Sequence, residues 1–304
     1  MKNIAIYGKS ISENNLKFLE NLIDALNKEL SPEFFFHDSL KVYASLVNKL
    51  NISFFGDQDL VKNKIDLLIS FGGDGTLLDT VTMIKDSNIP VLGINAGRLG
   101  FLANITQEDI ILAVKALKNK DYKLDQRSLV QVKNKSLSSI ESSNFALNEI
   151  NIHKKSSSSM LKIDAFLDNE FLNSYWADGL IVSTPTGSTA YSLSCGGPII
   201  TPGSNNFVIT PVSPHNLNLR PIVVGDNVVI RLRAESRESH FLLNMDSRSM
   251  SLKNNEEIFI SKADFSIKLI ELPDHNFMEK SALLINISSL FFKDIDLLSM
   301  FKRK

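Results

Sequence analysis

Residues 65–78 read IDLLISFGGDGTLL: an apolar run of strand length ends in three glycines wrapped around one carboxylate, Gly72-Gly73-Asp74-Gly75. Helix-compatible residues follow from Thr76. A strand that delivers a glycine-rich turn to a helix N-terminus brings backbone N–H groups and helix-end partial charge close to an anion. This is how α/β proteins cradle phosphate. A bare carboxylate repels phosphate, so Asp74 needs a separate task, such as taking a proton or holding a metal.

A second stretch, residues 178–198, opens on Asp178-Gly179 and carries seven Ser and Thr hydroxyls together with Tyr191. Residues 180–182 read as a strand, and residues 187–194 as a short helix after a hydroxyl-rich turn. Capping and bridging account for some hydroxyls. The whole set is the neutral donor and acceptor lining that ribose and amide groups need, so a ligand is expected here. Asn148-Glu149 lies inside the otherwise apolar run 145–152. Neighbours in a strand face opposite sides, so one of the pair points inward and requires a partner, from the chain or from a ligand.

Other reactive residue types form no constellation. The five histidines are scattered without metal-ligand spacing. Cys195, the single cysteine, reads as a small apolar filler. Gly8-Lys9-Ser10 resembles the end of a phosphate-binding P-loop, but the rule needs glycine where Asn3 stands, and Lys9 reads as a loop residue. Residues 211–215, PVSPH, form a rigid turn that could wall a site.

The elements that must position these groups follow from periodicity. Residues 2–7, 33–36, 65–71 and 90–95 read as strands. Residues 13–30 read as a helix with Ser12 as N-cap, residues 39–50 as a weaker one, and residues 76–85 as a third. Residues 106–118 make a fourth helix, with Thr106 as cap and Glu108 and Asp109 in the first turn. This alternation implies a Rossmann-like α/β domain over residues 1–121, its parallel sheet covered on both faces and its ligands at the strands' carboxyl ends. Residues 95–102, a second glycine-rich stretch, also leave such an end. From residue 122 to 274 short alternating runs take over, at 129–133, 145–153, 161–167, 170–176, 206–212, 228–233, 241–245 and 258–272, so a mainly β domain is expected. Serine-rich segments at 136–143 and 156–159 read as hairpin loops. Residues 275–304 are expected to be helical and to pack back on the N-terminal domain.

The chain has 304 residues, 43% hydrophobic and 22% charged, with a formal net charge of −1. That suffices for about two domains. Near-neutral charge argues against a nucleic-acid surface, and no apolar run is long enough to span a membrane. The N-terminal apolar run is too short for a signal peptide, and one cysteine fits a reducing cytoplasm.

Together these residues resemble the NAD kinase family. Residues 72–76 look like its phosphate-binding signature, residues 93–102 like its second glycine-rich element, and Asn148-Glu149 like its Asn-Glu pair. Residues 178–194 are similar to its long TPTGSTAY block, and SPHNL at 213–217 followed by Arg220-Pro221 keeps the order. The glycine-Asp loop alone also occurs in lipid kinases and phosphofructokinases, which have no reason to carry the long block. An NAD(H)-sensing module without turnover would gain nothing from Asp74.

The resemblance implies phosphorylation by ATP of the adenosine ribose 2′-hydroxyl of NAD, giving NADP, with a divalent cation, magnesium, accompanying ATP. Asp74 would accept the proton, with Gly72, Gly73 and Gly75 beside it. Asn148 and Glu149 would grip adenine and ribose groups, and Asp178 the carboxamide end. Thr186, Thr189, Ala190, Tyr191, Ser192, Leu193, Ser194 and Ser213 would line the dinucleotide. The implied fold is an α/β domain plus a β domain with the NAD site between them, in a cytoplasmic homodimer or homotetramer. Two departures stand out. The family's Asp-Gly-Gln-like turn reads Asp246-Ser247-Arg248, which puts a cation, Arg248, near phosphate or ribose, and residues 277–304 lack the expected basic helix.

Overall fold

The computed structural model describes residues 1–9, 11–47, 52–57, 59–60, 64–97, 100–134, 143–156 and 160–273. The predicted terminal helix, 275–304, and most of both serine-rich segments lie outside the described residues. The N-terminal part runs β1 (Asn3–Tyr7), α1 (Glu13–Leu30), β2 (Glu33–His37), a 3-10 run (Asp38–Val47), β3 (Ile52–Phe55), β4 (Leu67–Gly72), α2 (Asp74–Ile84), β5 (Val91–Asn95) and α3 (Ile110–Asn119). The five strands pair in parallel in the order β3-β2-β1-β4-β5. Their side chains alternate between two cores. Ile4, Ile6, Leu67, Ile69, Leu92 and Ile94 pack with α1 and α3, whereas Ala5, Leu68 and Val91 pack with Leu77, Val81 and Ile84 of α2. The chain leaves β1 toward β2 and leaves β4 toward β5, so the strand order reverses between β1 and β4. A ligand crevice opens at the carboxyl ends there.

Several predicted elements shift. Ser12 occupies the N-cap position of α1 but makes no side-chain cap bond. The weak helix expected at 39–50 is a 3-10 run as far as it is described. The helix expected from Thr106 begins at Ile110, because Thr106 donates to Asp109 and Glu108 and ties those residues into a preceding turn. Strand β3 has no counterpart in the expected elements.

The C-terminal part is β6 (Lys123–Lys133), β7 (Phe145–Ala146), β8 (Glu149–His153), β9 (Leu161–Leu167), β10 (Glu170–Ala177), β11 (Gly179–Ser183), a 3-10 turn (Thr186–Thr189), α4 (Tyr191–Ser194), β12 (Asn206–Val212), β13 (Ile222–Gly225), β14 (Ile230–Ser236), β15 (His240–Met245), β16 (Arg248–Lys253) and β17 (Glu257–Glu271). An antiparallel sheet runs β13-β12-β11-β8-β15-β16. Its apolar face, with Ile150, Ile152, Leu180, Val182, Ile209 and Leu243, packs on β6, β9, β14 and β17. Those strands continue the parallel sheet. β17 pairs with β6 along one edge, while its other edge meets β14 and then β5, with Leu269 opposite Val91. One sheet therefore passes through both halves of the chain. The core under α2 extends to the strand before β8: Leu77 and Val81 share a cluster with Leu102, Leu129, Phe145, Leu147 and Ile267.

Candidate active site

The glycine turn lies at the switch point. Gly73 is the N-cap of α2 and Asp74 its first residue, where the helix leaves N–H groups without intrahelical partners. A Cβ on Gly72 would come within 2.3 Å of the Thr76 hydroxyl, so that position admits only glycine. Gly73 and Gly75 face open space, with nothing within 4 Å of a Cβ placed there. The backbone is thus bare on the side an anion would approach. Lys9, at the end of β1 across the crevice, pairs with Asp79 of α2 at 2.7 Å, and Tyr7 donates to the same carboxylate at 3.1 Å.

Asp74 does not point into empty space. Its Oδ2 accepts from the Phe101 N–H at 2.9 Å, and its Oδ1 from Leu102 at 3.1 Å and Ala103 at 2.9 Å. Phe101 and Leu102 belong to the second glycine-rich stretch and Ala103 follows it, so residues 101–103 lie against the start of α2. A cavity of about 280 Å³ sits on the opposite side of that stretch, between Asn15 and Phe18 of α1 and Thr106. It does not include Asp74.

The apolar core that holds Leu77 of α2 and Leu102 also holds Leu147, the residue before Asn148-Glu149. The pair does not lie inside a continuous strand, as the sequence suggested. The run breaks between β7 and β8, because Asp246, in the left-handed turn between β15 and β16, accepts the N–H groups of Leu147, Asn148 and Glu149 at 2.8, 2.9 and 3.2 Å. Three donors taken by one carboxylate leave that backbone unable to continue a ladder. Glu149 is 7% exposed and its Oε2 has no hydrogen-bond partner among the described residues. Burial, reinforced by the Asp246 charge, pushes its carboxyl up to about 8. Burial also raises Asp246, against the three backbone donors that hold it down.

Glu149 starts the polar face of the antiparallel sheet. Register places it level with Ser183, and Asn151 level with Ile181 and Asn244, which donates to it at 2.7 Å. Residues 184–197 fold across this face. Ser192 is fully buried with its hydroxyl 2.8 Å from Thr210, and a Cβ on Gly187 would come within 2.1 Å of the Asn148 carbonyl oxygen. Thr184 donates to the Leu147 carbonyl at 2.6 Å, so the segment is tied to the Asn-Glu strand by its own hydroxyls. The expected short helix is two pieces, a 3-10 turn and α4, divided at Ala190. Tyr191, Leu193 and Ser194 remain exposed, while Thr189 turns its hydroxyl to the Thr186 carbonyl.

Three partners escaped the sequence reading. Arg127, 7% exposed on β6, is held by Asp125 at 2.6 Å and donates to Thr186 at 3.2 Å. Lys154 pairs with Asp178 at 2.7 Å. Asp246, named only as part of a divergent turn, holds the Asn-Glu backbone. An arginine just ahead of the apolar residues Leu129, Val130 and Val132 of a strand was the one available sign of the first. Arg248 spends two donors on the carbonyls of Ser143 and Phe145, and its guanidinium lies 5.6 Å from the Phe145 ring centre. Ser213 is exposed in a left-handed conformation next to β12. Burial pushes the Cys195 thiol up, as suits a packing residue rather than a nucleophile.

Comparison with known proteins agrees with this geometry. The family description "ATP-NAD kinase N-terminal domain" matches residues 53–122, and "ATP-NAD kinase C-terminal domain" matches residues 147–272. The chain is 45% identical over 278 residues to an NAD kinase of Cytophaga hutchinsonii, covering 90% of this chain and 94% of that protein. It is 40% identical over 281 residues to an NAD kinase of Porphyromonas gingivalis, covering 92% and 96%. The crystal structure of yeast NADH kinase complexed with NADH superposes with a TM-score of 0.84 at 25% identity, over 98% of this chain and 89% of that one. An NAD kinase from Archaeoglobus fulgidus in complex with ATP shares the fold, with a TM-score of 0.68 at 24% identity over 94% and 98%. With two family descriptions matching both halves of its sequence and relatives at 40–45% identity over most of its length, the chain belongs to the NAD kinase family.

Proposed function

We propose that, in the ATP-dependent phosphorylation of NAD, the switch-point turn handles phosphate and the polar sheet face presents the acceptor ribose. The observation that carries this division is the shared core of Leu77, Leu102 and Leu147, which links α2 to the residue before Asn148 and Glu149. The exposed backbone at Gly73 and Gly75, supported by Gly72, receives the donor phosphates. Asn148 and Glu149 take adenine and ribose groups, and Asp178, oriented by Lys154, takes the carboxamide end. Thr189, Ala190, Tyr191, Leu193, Ser194 and Ser213 line the dinucleotide. Thr186 and Ser192, both turned inward, hold that segment in shape. Arg248 fixes the chain before the Asn-Glu pair and adds positive charge to the crevice.

Asp74 is the proton acceptor for the 2′-hydroxyl. Its Oδ2 takes one hydrogen bond against two at Oδ1, which leaves Oδ2 the freer oxygen. Magnesium would travel on the phosphates of ATP, where it neutralises charge during transfer.

The test is NADP formation from ATP, magnesium and NAD, run in parallel with NADH because the yeast neighbour is an NADH kinase. Asp74→Ala should lower turnover by about two to four orders of magnitude. Turnover at the wild-type rate in that variant would sink the assignment. The exposed Trp176 and Leu217 flank Asp178 and Ser213 and support a homodimer or homotetramer, to be read by light scattering. Cell fractionation tests a cytoplasmic location.

A further inference from the structure

The second glycine-rich stretch leaves a strand end as the first does, yet it offers its N–H groups to a carboxylate of the same chain. We propose that residues 100–103 are the positioning element for Asp74, holding its carboxylate by three backbone N–H groups so that Oδ2 faces the acceptor hydroxyl. This rests on the role given to Asp74 above and extends it to the backbone that holds its carboxylate.

A carboxylate at the first position of a helix ordinarily has the free N–H groups of its own helix as nearest donors. Asp74 instead turns away from α2 and is bound by Phe101, Leu102 and Ala103. The approach is close enough to dictate a residue: a Cβ on Gly100 would lie 2.3 Å from Oδ1 and 2.5 Å from both Cγ and Oδ2. Gly100 is glycine because the Asp74 carboxylate occupies the volume a side chain would fill.

The donors are themselves fixed. Asn95 donates from Nδ2 to the Ala103 carbonyl at 3.0 Å and accepts the Gly97 N–H at 2.8 Å, closing the loop on its own strand. Ile105 donates to the Gly93 carbonyl at 3.3 Å, while the Asn95 N–H donates to the Ile105 carbonyl at 2.7 Å. Gly93 lets the chain pass: a Cβ there would meet the Ala103 Cα at 2.8 Å and Leu77 Cδ1 at 2.9 Å. Leu102 and Ala103 are buried, in reach of the α2 core. Two glycines, one asparagine and a buried leucine thus hold three donors at fixed distances from the helix that bears Asp74. That is how a supporting layer pre-organises a reacting group.

The experiment is a double-mutant cycle with Gly100→Ala and Asp74→Ala, measuring kcat, the KM of ATP and of NAD, and the thermal midpoint. Gly100→Ala should lower kcat by about 100-fold, the scale of an ångström's misplacement, with both KM values within about threefold of wild type. In the Asp74→Ala background the same substitution should leave kcat unchanged. Its cost in thermal midpoint should also shrink there, since the carboxylate it collides with has gone. Equal kcat losses in both backgrounds, or wild-type kcat in Gly100→Ala, would overturn the proposal. If Gly100→Ala does not fold, Asn95→Ala replaces it, releasing the loop from its strand without touching Asp74. A kcat loss that vanishes in the Asp74→Ala background supports the proposal, and an additive loss rejects it. Wild-type turnover in Asp74→Ala alone would instead mark failure of the proton-acceptor assignment, which keeps the two ideas separable.

Discussion

Glu149→Gln keeps the shape of the side chain and removes its charge, and its effect on stability can be worked from the site. Glu149 is 7% exposed, its Oε2 lacks a partner among the described residues, and its carboxyl is pushed from 4.5 to about 8 by burial and then by Asp246. Across that window the folded chain keeps a proton that the unfolded chain has released. The folded state therefore binds more protons, and stability falls as pH rises from about 4.5 toward 8. The slope is about 1.4 kcal/mol per pH unit, so this one group removes roughly 3 kcal/mol by pH 7. Urea unfolding of wild type and Glu149→Gln at pH 5, 6, 7 and 8 measures it: the wild-type profile should decline more steeply, and the two should converge toward pH 4.5. Asp246 is present in both proteins and its own raised titration largely cancels in the difference. A neutral Glu149 is also a hydrogen-bond donor at pH 7, so Glu149→Gln should retain NAD affinity there while Glu149→Ala loses it. Parallel stability profiles for wild type and Glu149→Gln would refute the reasoning.

Other perturbations address other parts of the site. Arg127→Ala leaves the partly exposed Asp125 carboxylate and the buried Thr186 hydroxyl without this partner, and should cost about 1–3 kcal/mol by urea unfolding with a raised KM for NAD. Arg127→Lys should recover little, because one ammonium cannot serve both partners in the same geometry. Lys154→Ala removes a partly exposed pair, so stability should change by less than about 1 kcal/mol while the KM of NAD rises several-fold as Asp178 loses its orientation. Leu77→Ala empties a fully buried position in the core joining the two halves of the site and should cost about 2–5 kcal/mol. A loss under 1 kcal/mol would show that this core does not join them.

Much of this architecture was visible in the chain, for reasons that differ by element. Four strands of the parallel sheet, β1, β2, β4 and β5, are short apolar runs with glycine or proline at an end, and α1 carries apolar residues at helical spacing, so each declares itself locally, whereas the largely exposed β3 does not. β13 and β16 did not, because the first is only four residues long and the second is mostly polar, and both lie at the margin of a sheet, chosen by their neighbours rather than by their own composition. The same distinction holds in the site. Asp74 and the 178–194 segment stand out by residue type. The partners of Asp178 and Thr186 come from elsewhere in the sheet, brought there by pairing that no local pattern announces. Least visible of all were the donors to Asp74 and the acceptors of Arg248, since main-chain N–H and C=O groups leave no mark in a sequence.

The long strand β17 also bears on synthesis. Leu269 is the partner of Val91, so the start of β5, on the edge away from β4 and ahead of the part that Ile105 covers, gains its neighbour only when the last described strand has been made. Until then a nascent chain with β1 to β5 assembled leaves the backbone at the start of β5 uncovered on that side, the kind of edge that recruits other chains. Contacts this distant in sequence also slow folding, because the intervening loop must be closed first. Conditions that delay completion of the chain should therefore favour aggregation through the parallel sheet, the half of the molecule that is otherwise simplest to fold.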